Sequence, residues 1–95
     1  MTIGEHGLVR LYVAGHGPLA EEAWYAVRTA CLKLPGGTRT DVQLLDVSDR
    51  PEAAREAGIL LTPVLVRVRP GPERRWFGDL TSTAVVSRAL GAEHV

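Results

Sequence analysis

The sequence predicts an α/β fold with a mixed four-stranded sheet, and three observations predict it. An alternating, β-branched run near the start is followed at once by an amphipathic helical stretch. A second β-rich run succeeds that stretch, and late in the chain two short strand-like runs flank a Pro-Gly-Pro turn. A strand–helix–strand unit needs a right-handed crossover between parallel neighbours, whereas a tight turn pairs its strands antiparallel. Both demands together require a mixed sheet.

The first predicted strand is Leu8-Val9-Arg10-Leu11-Tyr12-Val13, ending at Ala14-Gly15. Gly15-His16-Gly17-Pro18 is a turn whose proline is placed to begin a helix. From Leu19 to Leu34, the residues Ala20, Ala23, Trp24, Val27, Cys31 and Leu34 recur at helical spacing. Glu21 and Glu22 stand in the first turn and Arg28 and Lys33 later, as the helix dipole favours. Pro35-Gly36-Gly37 stops this helix. A second strand covers Val42 to Val47. Ser48-Asp49-Arg50-Pro51-Glu52 then reads as a helix start, with a polar cap, an early proline and a glutamate three residues after Asp49. Ala53, Ala54 and Ala57 are strong helix formers, and Gly58 is suited to close the helix in the left-handed conformation. Thr62-Pro63 leads into a third strand, Val64 to Arg69, with Val64, Val66 and Val68 on one face. Pro70-Gly71-Pro72 turns the chain into a fourth strand, Arg74-Arg75-Trp76-Phe77. Thr81 or Ser82 then caps a last helix that runs through Leu90, with Val85, Val86, Ala89 and Leu90 on its apolar side.

The resulting order, β-α-β-α-β-β-α with strands arranged 2-1-3-4, is the thioredoxin-like arrangement. Ninety-five residues make one domain over 1–95, with 1–7 and 92–95 read as loose ends. Eleven basic residues balance eleven acidic ones, so no net field draws the chain toward nucleic acid or an anionic membrane. No run approaches the roughly 18 apolar residues of a membrane span, and the start lacks the basic-then-apolar order of a signal peptide. Cytoplasmic residence is the expectation. Monomer and homo-oligomer, dimer or tetramer, both remain open.

The chemistry expected of that fold is missing. A thioredoxin carries Cys-x-x-Cys just after the first strand, where the helix N-terminus stabilises a thiolate. Here the same stretch reads Gly15-His16-Gly17-Pro18, without sulfur. The single cysteine, Cys31, lies on the apolar face of the first helix, where burial raises a thiol's pKa and blunts its reactivity. His16 stands at a loop entering a helix, but no second polar group is identifiable beside it, so it reads as a solvated loop histidine. The three histidines, His6, His16 and His94, show no metal-ligand spacing. Asp46, in an otherwise apolar strand, reads as a strand-end carboxylate bonded to loop amides. No catalytic residue, cofactor or metal is expected.

Two features point outward. Thr62-Pro63 is compatible with either isomer on its own, and the topology favours cis, which would expose backbone edge groups toward a partner. The arginines Arg67, Arg69, Arg74 and Arg75 span the hairpin, with Arg67 and Arg69 on the face opposite the valines. Such a patch suits bidentate contacts to an acidic partner surface, and equally suits a solvated face that discourages edge pairing.

Four stretches in register resemble the KaiB-like circadian clock family. Leu11-Tyr12-Val13-Ala14-Gly15 with Pro18 is similar to the family's "LYVAG" and following proline. Leu44-Leu45-Asp46-Val47 with Pro51 resembles "IDV…P", and Ile59-Leu60-Leu61-Thr62-Pro63-Val64-Leu65 resembles "ILATPTL". Arg74-Arg75 with Phe77-Gly78-Asp79-Leu80 resembles "RRIIGDLS". The resemblance runs without obvious gaps from about Leu8 to Leu90.

It implies a protein-binding adaptor and not an enzyme. Such proteins dock on a KaiC-type hexameric RecA-like ATPase, sequester KaiA and delay a phosphorylation cycle. A related clock histidine kinase carries a sensor domain of the same fold; the chain ending at Val95 favours the stand-alone protein. Some members switch between a tetrameric ground state and a thioredoxin-like monomer through their C-terminal half. Departures stand at Gly58 and Glu22, where cyanobacterial members place basic residues associated with ATPase docking. A module bound to another partner in stress or signalling is therefore the alternative, and a thioredoxin-fold redox enzyme a remoter one. Ala89 and Gly91 replace a glycine and an aspartate of the switching segment. Alanine favours helix over glycine by roughly 1 kcal/mol, so the thioredoxin-like state is the one expected, with Gly91 just past the helix end.

Overall fold

The computed structural model describes residues 7–34 and 39–91. Of the predicted loose ends at 1–7 and 92–95, all but Gly7 lie outside those residues, as does the predicted helix stop at Pro35-Gly36-Gly37; Gly7 is instead the first residue of a strand.

Strand β1, Gly7–Val13, is the centre of the domain and is buried along almost its whole length. It begins one residue earlier than its apolar pattern, because Gly7 pairs with Thr40 and its amide donates to the Arg39 carbonyl at 2.8 Å. A Cβ at position 7 would stand 2.7 Å from the Thr40 hydroxyl, so the close approach of the two strands requires glycine. Helix α1, Pro18–Leu32, uses Pro18 at its first position, where a missing amide costs nothing. It buries Ala23, Ala26, Val27, Ala30 and Cys31, the stripe set by helical periodicity. Strand β2, Thr40–Asp46, pairs parallel with β1, and starts earlier and ends earlier than the apolar run alone predicts.

Helix α2, Pro51–Ala57, follows. Its N-cap is Arg50, without a side-chain cap; the predicted Asp49–Glu52 capping box does not form. The amides of Asp49 and Arg50 instead donate to the Asp46 carbonyl at 3.0 Å, a backbone turn that seats the helix directly after β2. Its other end closes as expected. Gly58 adopts φ +70°, the Ile59 amide reaches the Ala54 carbonyl at 2.9 Å, and the Gly58 amide reaches that of Arg55 at 3.1 Å.

Strand β3, Val64–Arg69, runs antiparallel to β1, and β4, Arg74–Trp76, antiparallel to β3. Phe77, predicted as the end of the fourth strand, lies beyond it and is exposed. The sheet order is β2-β1-β3-β4, as the sequence predicts. Helix α3, Thr83–Gly91, is capped by the Ser82 hydroxyl, which accepts the Val85 amide at 3.2 Å. Ala89 is helical, and Gly91 is the last residue of the helix, not a terminator beyond it.

The two faces of the sheet are covered unequally. One packs Val9, Leu11, Val13 and Leu65 against α1 and α3 through Val27, Cys31, Val86 and Leu90. The other carries a smaller cluster, Tyr12, Val64 and Val66, bordered by the half-exposed Leu45, Ala57, Ile59 and Val68 beneath α2. No helix among the described residues is long and apolar enough to cross a membrane.

Candidate protein-interaction surface

Parallel neighbours β1 and β2 must release their connecting loops at the same end of the sheet, so the loop after Val13 and the loop after Asp46 lie side by side. Asp46 fastens them together. Its Oδ1 accepts the amides of Gly15 and Ser48, both at 2.9 Å. Those two bonds hold its carboxyl below the usual carboxylate range, with a further contribution from His16 and against the opposing effect of burial. This is the loop-amide role the sequence assigns to it.

His16 is less isolated than the sequence indicates. Its Nε2 lies 3.2 Å from Asp46 Oδ2 and 3.8 Å from Asp49 Oδ2. One donor atom from each of the three residues falls within 4.8 Å of the other two, a set able in principle to ligate a cation. The geometry is already explained by the clasp between loops, however, and His16 and Asp49 are largely exposed. The signal for this grouping was the topology and not residue spacing: the two loops are 30 residues apart in sequence but adjacent in space.

The same end of the sheet holds the start of β3 and the end of β4, since Val64 pairs with Tyr12 and Trp76 with Leu65. The Thr62–Pro63 peptide bond there is cis, as are Arg69–Pro70 and Gly71–Pro72 in and beside the hairpin turn. Leu60 and Leu61 approach Pro63 at 92% and 68% exposure, and Phe77 leaves β4 at 57%. Leu19, in the first turn of α1, is 71% exposed. Several large exposed apolar side chains thus stand at this end of the sheet. Cys31 is not among them: it is buried against the core, and burial pushes its thiol up to about 11.

The arginine cluster predicted as one patch is divided. Arg67 is only 8% exposed; it stacks 5.9 Å from the Trp76 ring centroid and donates from Nη2 to the Pro72 carbonyl at 3.2 Å. It braces the hairpin from within, which corrects its assignment to a partner-facing surface. Arg74 lies opposite Arg67 in register, and Arg69 follows two residues on, so both share its face while remaining exposed. Arg75 pairs with Val66 on the opposite face. There its Nη1 donates to the Gly58 carbonyl at 3.3 Å, its Nη2 to the Ala57 carbonyl, and its Nε to Glu73 at 3.0 Å. Gly58 and Arg75, two candidates 17 positions apart, are therefore neighbours. Their shared task is to finish α2, whose last carbonyls find no partner within the helix.

A KaiB domain model matches residues 10–92. The chain belongs to the KaiB family. It is similar to circadian clock protein KaiB3 of Synechocystis sp., 30% identical over 83 residues that cover 87% of this chain and 80% of that protein. It is likewise similar to circadian clock oscillator protein KaiB of Thermostichus vulcanus, 36% identical over 75 residues, 79% of this chain and 68% of the other. The N-terminal domain of Synechococcus elongatus SasA superimposes with a TM-score of 0.79 at 20% identity, covering 100% of this chain and 90% of that one. Chloroplastic thioredoxin z gives 0.73 at 18% identity, over 96% of this chain and 80% of that one. At such identities the structures establish the thioredoxin-like fold alone.

Proposed function

We propose that this KaiB-family chain is a non-catalytic adaptor that docks on a KaiC-type RecA-like ATPase and so regulates a circadian or other timing oscillator. The observation that supports it most is the chemistry of the strand-end surface. The stretch after β1 reads Gly15–Pro18 without sulfur, and the exposed Leu19, Leu60, Leu61 and Phe77 stand beside strand and helix ends at that same end of the sheet. A reactive site needs a nucleophile, whereas an exposed apolar cluster with a polar border is what a protein partner buries. KaiA-like proteins and clock histidine kinases are the further partners this reading includes. It also takes the thioredoxin-like arrangement as the resting state, with Ala89 supporting α3.

The test is a mixing experiment on a sizing column, with the chain and the KaiC-type ATPase of the same organism in ATP and in ADP. Co-elution that depends on the nucleotide is the expected result. No complex in either nucleotide overturns the reading. Glu22 and Gly58 favour a second reading, in which the same surface serves a different partner in stress or signalling. Both positions are exposed and neither supplies the positive charge of clock members. A redox role is checked by thiol labelling: Cys31 is expected to react slowly in the folded chain, and rapid labelling at neutral pH would restore the enzyme alternative.

A further inference from the structure

On the face covered only by α2, the sheet carries a cleft of about 500 Å³. The cause is the length of α2. Seven residues span roughly 10 Å at about 1.5 Å each, too little to roof four strands set about 4.8 Å apart. Leu45 and Val68 on the sheet and Ala53 on α2 give it half-exposed apolar surface, above Tyr12 and Val66, which are themselves nearly sealed. The rim is polar: Arg10, Arg50 and Arg75 contribute three guanidinium groups, against the carboxylates of Glu56 and Glu73.

The register orders these groups. Gln43, Arg10, Val66 and Arg75 lie on one row across all four strands. Glu73 and the end of α2 engage Arg75. At the other side of the cleft, Gln43 Oε1 accepts the Nε–H of Arg10 at 2.8 Å, which orients the planar fork of its terminal amino groups. Arg50 lines the cleft from the opposite end of α2 to Ala57. The positive border is therefore concentrated beside Arg10 and Arg50.

We propose that this cleft binds a small amphipathic anion: an apolar body against Leu45, Val68 and Ala53, with a single carboxylate, sulfonate or phosphate held by Arg10 and Arg50. The volume lies within the roughly 300–1,000 Å³ of small-molecule sites, and the mixed polar and apolar lining suits a ligand that is itself amphipathic. The site faces away from α1 and α3 and uses none of Leu19, Leu60, Leu61 or Phe77; Arg75 on its rim is shared with the arginines read from the sequence as partner-facing.

The test uses 8-anilino-1-naphthalenesulfonate, its neutral analogue N-phenyl-1-naphthylamine, and inorganic sulfate, each titrated into the folded chain and followed by amide chemical shifts. The sulfonate is expected to bind saturably at one site, moving the amides of Arg10, Ala53, Val66 and Val68. Arg10→Gln and Arg50→Gln are expected to weaken it by about tenfold each, the effect of losing one charge-assisted hydrogen bond. Ala53→Leu, which fills the cleft from the α2 side, is expected to abolish it while the spectrum stays dispersed. Glu56→Gln is expected to strengthen it. Equal binding of the neutral analogue would overturn the anion site, as would sulfate matching the sulfonate. Shifts centred on Leu60 and Phe77, or a chain that self-associates through this face and binds none of the probes, would equally overturn it.

Discussion

The two faces of the sheet hold opposite positions in the same molecule. Against α1 and α3, Val9, Leu11, Val27, Leu65 and Val86 are sealed from water and form one contiguous core. Against α2 only Tyr12, Val64 and Val66 are comparably buried, and their neighbours are half exposed. Both faces carry apolar strand residues, and the helices over them differ: α1 of 15 residues with α3 of nine on one side, α2 of seven alone on the other. Stability is concentrated where the roof is complete, and openings for other molecules are left where it is not.

The sharpest way to break this comparison is to remove matching bulk from each side. Leu65→Ala, at a fully buried site, is expected to cost about 2–5 kcal/mol in denaturant unfolding, whereas Leu45→Ala on the thinner side should cost about 1 kcal/mol. Equal losses would show that the α2 face is packed as firmly as the other. Next in size is Gly58→Ala. A side chain forced into the left-handed region at φ +70° should lose roughly 1–2 kcal/mol by thermal unfolding, with the amide shifts of α2 moving toward coil. Arg75→Gln should lose about 1 kcal/mol and perturb Ala57 and Gly58 while leaving α1 unchanged, which is measured by the same shifts.

The smallest expected change is from His16→Gln, since an exposed partner adds little to a carboxylate already held by two amides. Its use lies in an acid titration. The folded carboxyl of Asp46 is depressed, so its stabilisation is complete above the ordinary value of about 3.9 and is lost as pH falls through the lower folded value. That acid limb should persist in His16→Gln and disappear in Asp46→Asn. Its loss in His16→Gln would show that the histidine, and not the amides of Gly15 and Ser48, holds the charge.

Much of the frame was legible because single residues decided it locally. Pro18 starts α1, Gly58 ends α2, and the alternation of Val64, Val66 and Val68 sets the two faces of β3. What failed depended mostly on distant pairing. The capping box at Asp49 is a local exception: the Asp46 carbonyl, three residues back, takes the Asp49 and Arg50 amides, and Asp49 makes no cap. The four arginines looked alike in sequence, yet pairing with β4 placed Arg67 under Trp76 and sent Arg75 to the opposite face. The partners of His16 were likewise invisible until the two loops were set side by side. Family motifs carried the rest, because LYVAG and its companions mark positions in a frame that no local propensity defines.

Arg75 gives the C-terminal half a mechanical property. It belongs to a strand of three residues, yet its guanidinium grips the last carbonyls of α2 across the edge of the sheet. A short strand and a short helix thus share one tie, and its removal in Arg75→Gln is expected to speed amide exchange at both Trp76 and Ala57 while leaving α1 protected.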